Sequence, residues 1–193
     1  NLKRFLEVAG NRKVQFIFAG KSHPSDNGGK ALLQKIRKAA RDLEESIPIV
    51  FIDNYNMEIA SLITQGVDLW LNTPMRPREA SGTSGMKCAL NGIMNFSVLD
   101  GWWIEGWIED VTGWSIGPEP NGGDLSDHYD ESLDAIDLYE KLEKKIIPTY
   151  YENHDKWLDM MRHTIALNAS FFNTHRVVRE YASKAYSIDF RGM

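Results

Sequence analysis

Three short apolar segments, each followed by residues at helical spacing, constrain this chain more than any other feature. Val14-Gln15-Phe16-Ile17-Phe18-Ala19-Gly20, Ile47 to Asp53 and Val67-Asp68-Leu69-Trp70-Leu71 all have strand length and β-forming side chains. Their nearly continuous apolar character predicts strands buried on both faces. Between them, Lys30 to Leu43 carries Leu32, Leu33, Ile36, Ala39, Ala40 and Leu43 along one stripe, which is an amphipathic helix of about four turns. Met57 to Thr64 predicts a second helix, ended at Gly66. Such alternation calls for an α/β fold: a parallel sheet joined by right-handed crossovers, with helices on both faces in a three-layer α/β/α, Rossmann-like arrangement. Ligands meet a sheet of this kind at the carboxyl ends of its strands, so Lys21, directly after the first strand, stands at the ligand edge.

The remaining segments fill out this plan. Leu2 to Val8 reads as the tail of a helix stopped by Gly10-Asn11, and Asn72 to Arg78, with two prolines, as irregular chain. Gly82 to Asn91 reads as a loop running into a helix, Ile93 to Val98 as a further strand ended by the turn signal Asp100-Gly101, and Trp102 to Gly123 as an irregular aromatic loop. From Ser126 onward the spacing is helical: Asp134 to Ile147 ahead of Pro148, then Lys156 to Leu167, then Thr174 to Tyr186 with Thr174 as the N-cap. Residues 1–125 are therefore expected to form the α/β core and 126–193 a set of helices packed on it. The chain enters helical sequence at Asn1 without a starting Met, which fits a piece of a longer protein.

Charge and composition exclude several classes of function. Lys plus Arg less Asp plus Glu is 22 − 27 = −5, with no basic run, so nucleic acid is not an expected partner. Cys88 is the single cysteine, no apolar run is long enough to cross a bilayer, and no secretory leader opens the chain. A reducing cytoplasm without membrane association is the expectation. His23, His128, His154, His163 and His175 lack metal-ligand spacing, so no metal is expected. Cys88 reads as a small buried hydrophobe. Trp102, Trp103, Trp107 and Trp114 suit either packing or stacking on a sugar ring, and packing is the favoured reading. The acidic stretch from Asp124 to Asp137 reads as a solvated helix start.

The segment that carries chemistry is Glu79-Ala80-Ser81-Gly82-Thr83-Ser84-Gly85-Met86-Lys87-Cys88-Ala89-Leu90-Asn91-Gly92. A small, hydroxyl-rich, glycine-spaced loop that opens a helix offers free backbone N–H groups and the positive end of the dipole to an anion such as phosphate. Lys87, among Met86, Cys88, Ala89 and Leu90, is expected to be partly desolvated and so favoured as a neutral amine able to form a Schiff base. The same spacing equally suits a helix-capping loop followed by an ordinary exposed lysine.

This segment resembles the pyridoxal-phosphate attachment segment of the α-glucan phosphorylases, the glycogen, starch and maltodextrin phosphorylase family, in the pattern Glu-Ala-Ser-Gly-x-x-x-Met-Lys-x-x-Leu-Asn-Gly. Phe18-Ala19-Gly20-Lys21, Phe51-Ile52-Asp53-Asn54-Tyr55, Asp68-Leu69-Trp70-Leu71-Asn72, Leu99-Asp100-Gly101-Trp102-Trp103, Ile146-Ile147-Pro148 and Thr174 to Tyr181 are similar to the same family in its shorter bacterial and archaeal branch. The resemblance implies a C-terminal domain of a two-domain (GT-B) glycosyltransferase fold. It implies pyridoxal 5′-phosphate held on Lys87, with Thr83 and the backbone N–H groups of Ser84 and Gly85 at its phosphate. Tyr55 would lie against this cofactor. Glu79, with the backbone at Ser81 and Gly82, would bind a glucosyl unit, and Lys21 would line the strand edge nearby. Lys87, Thr83 and Glu79 are thus the implied catalytic set.

The implied reaction transfers the terminal α-1,4-linked glucosyl unit of a glucan to inorganic phosphate, giving glucose 1-phosphate, with the cofactor phosphate acting in proton transfer. Gly85 stands where many members have Asn, which removes one side-chain hydrogen bond and leaves the motif intact. The family's basic phosphate-binding stretch and its N-terminal domain, the other wall of the cleft, would lie upstream of Asn1. The chain alone is therefore expected to be inactive, and its uncovered surface to favour a homo-oligomer. Two other readings stay open from the residues themselves: a non-catalytic sugar- or phosphate-binding module, and a glycogen-synthase-like glycosyltransferase domain, which has no use for a Schiff-base lysine.

Overall fold

The computed structural model describes residues 4, 6, 7, 13–79, 81–119 and 131–186. Most of the helix expected over Leu2 to Val8, the expected division at 125 and the acidic residues before 131 lie outside the described residues.

The chain folds as an α/β structure with parallel strands. Strand β1 (Phe16–Ala19), helix α1 (Asn27–Asp42), strand β2 (Ile49–Ile52), helix α2 (Met57–Gly66) and strand β3 (Leu69–Asn72) follow the predicted alternation. Helix α3 (Thr83–Leu90) leads into strand β4 (Met94–Val98), a short helix α4 (Trp103–Gly106) and strand β5 (Gly113–Ile116). The strands form two parallel ladders among the described residues, β1–β2 and β3–β4–β5, rather than one continuous sheet. Phe16 pairs with Ile49, Leu69 with Met94, and Phe96 with Trp114.

The two ladders differ in cover, and this corrects the expectation that every strand is buried on both faces. In the first ladder Ile17 is 40% and Val50 41% exposed. In the second, every residue of β4 and β5 is buried. Met94, Phe96, Val98, Trp114 and Ile116 pack on Leu142, Ile146, Ile147, Trp157 and Met160 from the C-terminal helices. Alternation along β4 turns Asn95 to the opposite face, where it meets α3. The second ladder is thus the middle layer of three.

The stretch from Trp102 to Gly123, read as an irregular loop, contains both α4 and β5. Glycines and aromatics dominate it locally, but pairing with β4 makes Gly113-Trp114-Ser115-Ile116 a core strand. Trp102, Trp103 and Trp114 are buried, which places them in packing roles, while Trp107 is half-buried. Helix α1 starts before the expected Lys30 because the Asp26 carboxylate accepts from the Gly29 amide at 2.8 Å, drawing Gly28 and Gly29 into its first turn.

The C-terminal part is helical: α5 (Glu131–Lys141), a π-helical turn (Leu142–Ile146), α6 (Ile147–Glu152), α7 (His154–His163), a second π turn (Thr164–Ala169), α8 (Thr174–Glu180) and a third π turn (Tyr181–Ala185). Pro148 does not stop the run. It sits in the first turn of α6, where its missing N–H costs little, directly after the wider π turn. Asn173, not Thr174, caps α8, its side chain accepting from the Arg176 amide at 3.0 Å. Asp134 departs from the solvated reading too: it is buried, 4.0 Å from the guanidinium of Arg76, which donates to the Pro118 carbonyl at 2.9 Å.

Beside β5, Glu109 accepts from Lys145 at 2.9 Å, the Trp107 indole at 3.0 Å and the Ser115 amide at 3.1 Å. Burial alone would raise its pKa, but these hydrogen bonds and the charge of Lys141 outweigh it and hold the carboxyl below the usual range. A lowered folded pKa stabilises above the ordinary value, and that stability is lost as pH falls through the lowered one. Urea midpoints of wild type and Glu109→Gln should therefore differ at pH 7 and converge below about pH 4. A gap independent of pH would refute this role. No helix among the described residues is long and apolar enough to cross a membrane.

Candidate functional site

In the segment singled out in the sequence, Glu79, Ser81 and Gly82 precede α3, beyond the carboxyl end of β3. Gly82 is the N-cap in the left-handed conformation (φ 87°), and it supplies no side-chain acceptor. The Gly85 amide donates to the Gly82 carbonyl at 3.1 Å, so it is already spent within the turn. This removes one of the backbone donors the resemblance implied. The amides of Thr83 and Ser84 make no hydrogen bond to another described residue and mark the positive end of the helix dipole.

Trp102 seats this turn. A Cβ on Gly82 would stand 2.7 Å from the indole Cδ1, and one on Gly85 3.0 Å from Nε1 and 2.4 Å from the Asn95 side-chain oxygen. Glycine at both positions lets the backbone lie directly on the indole and on β4. Gly85, in the place of the family's frequent Asn, is here required by packing. The Asn95 side-chain amide donates to the Gly85 carbonyl at 3.2 Å and couples α3 to the strand beneath.

Helix α3 buries Gly85, Cys88 and Ala89, spaced three and four residues apart, toward the core. At about 100° per residue, Lys87 then projects roughly opposite, on the same side as Thr83. Both are exposed. The expected shelter of Lys87 among Met86, Cys88, Ala89 and Leu90 does not form, because two of those neighbours serve the buried face and Leu90 is itself 52% exposed. Burial pushes the Cys88 thiol up to about 12, so it is an inert core group.

Glu79 is half-buried and folds back so that one carboxylate oxygen, Oε1, accepts from the Ser81 amide at 3.3 Å. Its Oε2 makes no hydrogen bond to a described residue. Ser81, Gly82 and Ser84 are half-buried along the same rim. Lys21, exposed, and Tyr55, half-buried, follow β1 and β2 at the carboxyl ends of the other ladder. No hydrogen bond among the described residues ties either of them to the Glu79–Lys87 segment.

Asp100 is a participant that the sequence reading took for a turn residue. It is buried, and its two oxygens accept from the amides of Glu79 and Gly101, each at 2.9 Å. Asp-Gly after a strand is an ordinary turn signal, so only the contact across to Glu79 distinguishes it.

Comparison with known proteins identifies the family. The family model for carbohydrate phosphorylases matches residues 3–113, which hold β1 to β4, the first residue of β5 and the Glu79–Lys87 segment. The chain is 46% identical, over 97% of its length, to a maltodextrin phosphorylase of Thermococcus litoralis, and covers 22% of that protein. It is 41% identical over 91% of its length to a glycogen phosphorylase of Aquifex aeolicus, covering 25% of it, and 42% identical over 91% to one of Mycobacterium tuberculosis, covering 21%. The chain therefore spans about a fifth to a quarter of the length of these relatives. With more than half of its residues matched by the family model and such relatives along nearly its whole length, this chain belongs to the carbohydrate phosphorylase family.

Proposed function

We propose that this chain forms the cofactor- and glucosyl-binding wall of an α-glucan phosphorylase, the complete enzyme moving the terminal α-1,4-linked glucosyl unit of a glucan to inorganic phosphate to give glucose 1-phosphate. The observation that carries the reading is the start of α3: open amides at Thr83 and Ser84, a cap without a side chain at Gly82, and Thr83 and Lys87 on one exposed face.

These residues fit pyridoxal 5′-phosphate. The Gly82 and Gly85 backbone, pressed on Trp102 where no Cβ has room, presents a dipole end suited to a phosphate dianion, and Lys87 stands one turn along the helix as the attachment amine. When bound, the cofactor supplies a phosphate that serves in proton transfer beside the substrate phosphate. Thr83 and the two open amides hold that phosphate. Glu79 accepts from glucosyl hydroxyls through its free oxygen, with the backbone at Ser81 and Gly82 beside it. Tyr55 would lie against the cofactor and Lys21 nearby, each following a strand of the first ladder at its carboxyl end. Sugar and phosphate groups would thereby be held in fixed register, which is the larger part of what glucosyl transfer to phosphate needs from the protein. The opposite wall, with further cations, comes from the rest of the enzyme, and a cytoplasmic location goes with this reading.

Reducing the full-length enzyme with borohydride in the presence of pyridoxal 5′-phosphate and mapping peptides should put the label on Lys87. A label on another lysine, or none, would overturn the assignment and favour a non-catalytic sugar- or phosphate-binding module.

A further inference from the structure

We propose that Asp100 is a positioning residue that sets the glucosyl-binding loop, acting through Glu79 rather than on substrate. The inference rests on the functional reading above and names a residue outside it.

Asp100 is a buried carboxylate, 5% exposed, at the end of β4. Its hydrogen bonds go to backbone: Oδ2 accepts from the Glu79 amide and Oδ1 from the Gly101 amide, each at 2.9 Å. Burying a carboxylate costs free energy unless it is hydrogen-bonded, and bonds from amides to a charged acceptor are stronger than neutral ones. A turn alone could be made with the Gly101 contact. The Glu79 contact instead spans the gap between the β3–α3 loop and the end of β4.

The loop is held at two further points. The Trp102 amide donates to the Ser81 carbonyl at 2.9 Å, and Gly101, at φ 55°, lies so close that a Cβ there would stand 2.8 Å from that carbonyl oxygen. Asp100, Gly101 and Trp102 thus form a short frame fixed to the core strand β4, against which Glu79 to Gly82 is laid. Of the frame's side chains, Asp100 alone reaches the backbone of Glu79. Through the Glu79 amide it fixes where that residue's Cα stands, and hence where its free oxygen meets a sugar. Lys87 is oriented separately, by the burial of Gly85, Cys88 and Ala89 and by Asn95. Within the frame the Asp100 carboxylate therefore serves the sugar side, while Trp102, on which Gly82 and Gly85 lie, serves the cofactor side together with the α3 packing.

Asp100→Asn tests this, since it keeps the volume but turns one acceptor into an NH₂ group, so that one of the two amides loses its partner. In the chain, hydrogen exchange at Glu79 or Gly101 should speed up at least tenfold, with Phe96 in β4 unchanged and Lys87 labelled by pyridoxal 5′-phosphate as in wild type. In the full-length enzyme, KM for glucose 1-phosphate should rise at least tenfold while cofactor content stays at the wild-type level. Asp100→Ala should deepen the same pattern, and if it fails to fold the Asn variant carries the test alone. Exchange that rises uniformly through β4, or unchanged sugar kinetics beside altered loop exchange, would make Asp100 a stabilising residue only and overturn the proposal. A wild-type enzyme without phosphate-dependent glucan cleavage would instead overturn the functional reading itself.

Discussion

Lys87→Ala should abolish phosphorolysis by the full-length enzyme and leave folding of the chain almost untouched. The amine is exposed on α3, on the side away from Gly85, Cys88 and Ala89, so nothing in the core is lost with it. Ala is also the best helix former, and exposed substitutions usually change stability by less than about 0.5 kcal/mol. Activity should fall by roughly 10⁵-fold or more, the scale at which fixed positioning of reacting groups contributes to rate. Lys87→Arg should be equally inactive although the charge is kept, because a guanidinium does not serve as the attachment amine. The measurements are glucose 1-phosphate formation and the urea midpoint for each variant. Activity within tenfold of wild type would remove Lys87 from the mechanism, and a large loss of stability would mean that α3 is turned differently.

Gly113→Ala should be strongly destabilising, since among the described glycines a Cβ there makes the closest approach to backbone. Gly113 pairs with Asn95 across the β4–β5 ladder at φ 152°, and a Cβ there would stand 2.0 Å from the Asn95 carbonyl oxygen, with backbone atoms on the same residue at 3.0 Å. No side-chain rotation relieves a clash with backbone. The strand must move, and it carries Trp114 and Ile116, both fully buried in the main core. A loss of about 4 kcal/mol or more is expected, in the range reserved for core disruption. Gly20→Ala is the matched control, since a Cβ at Gly20 meets nothing within 4 Å. It should shift the urea midpoint little. Equal midpoints for the two variants would show that β5 does not pair with β4 in this register.

These two positions illustrate what could be read from the chain before its structure. The helix start at α3 was legible because its signal is local: a glycine cap, small hydroxyl residues and a lysine one turn on lie within ten residues. The exposure of Lys87 was not, since it depends on which side of α3 the sheet covers. β5 was hidden for a related reason. Glycine and tryptophan around Gly113-Trp114-Ser115-Ile116 give no strand period, and its place in the core comes from β4 on one side and the helices carrying Leu142 and Trp157 on another. Asp26 and Asn173 were missed as caps because cap choice turns on which side chain reaches an amide three residues ahead, and neighbouring residues compete for it. Asp100 was seen only as half of a turn.

Residue pattern sufficed for the alternation of strand and helix, the parallel α/β class and the glycine-capped helix start that carries Lys87. Each depends on periodicity or turn chemistry within one element, where neighbours along the chain are also neighbours in space. Tertiary structure alone decided that the strands separate into a half-covered and a fully covered ladder, that Lys87 faces outward, and that Asp100 reaches across to Glu79. Those outcomes rest on which distant surfaces exclude water from one another, and burial of that kind is non-directional and not encoded in any single stretch of residues.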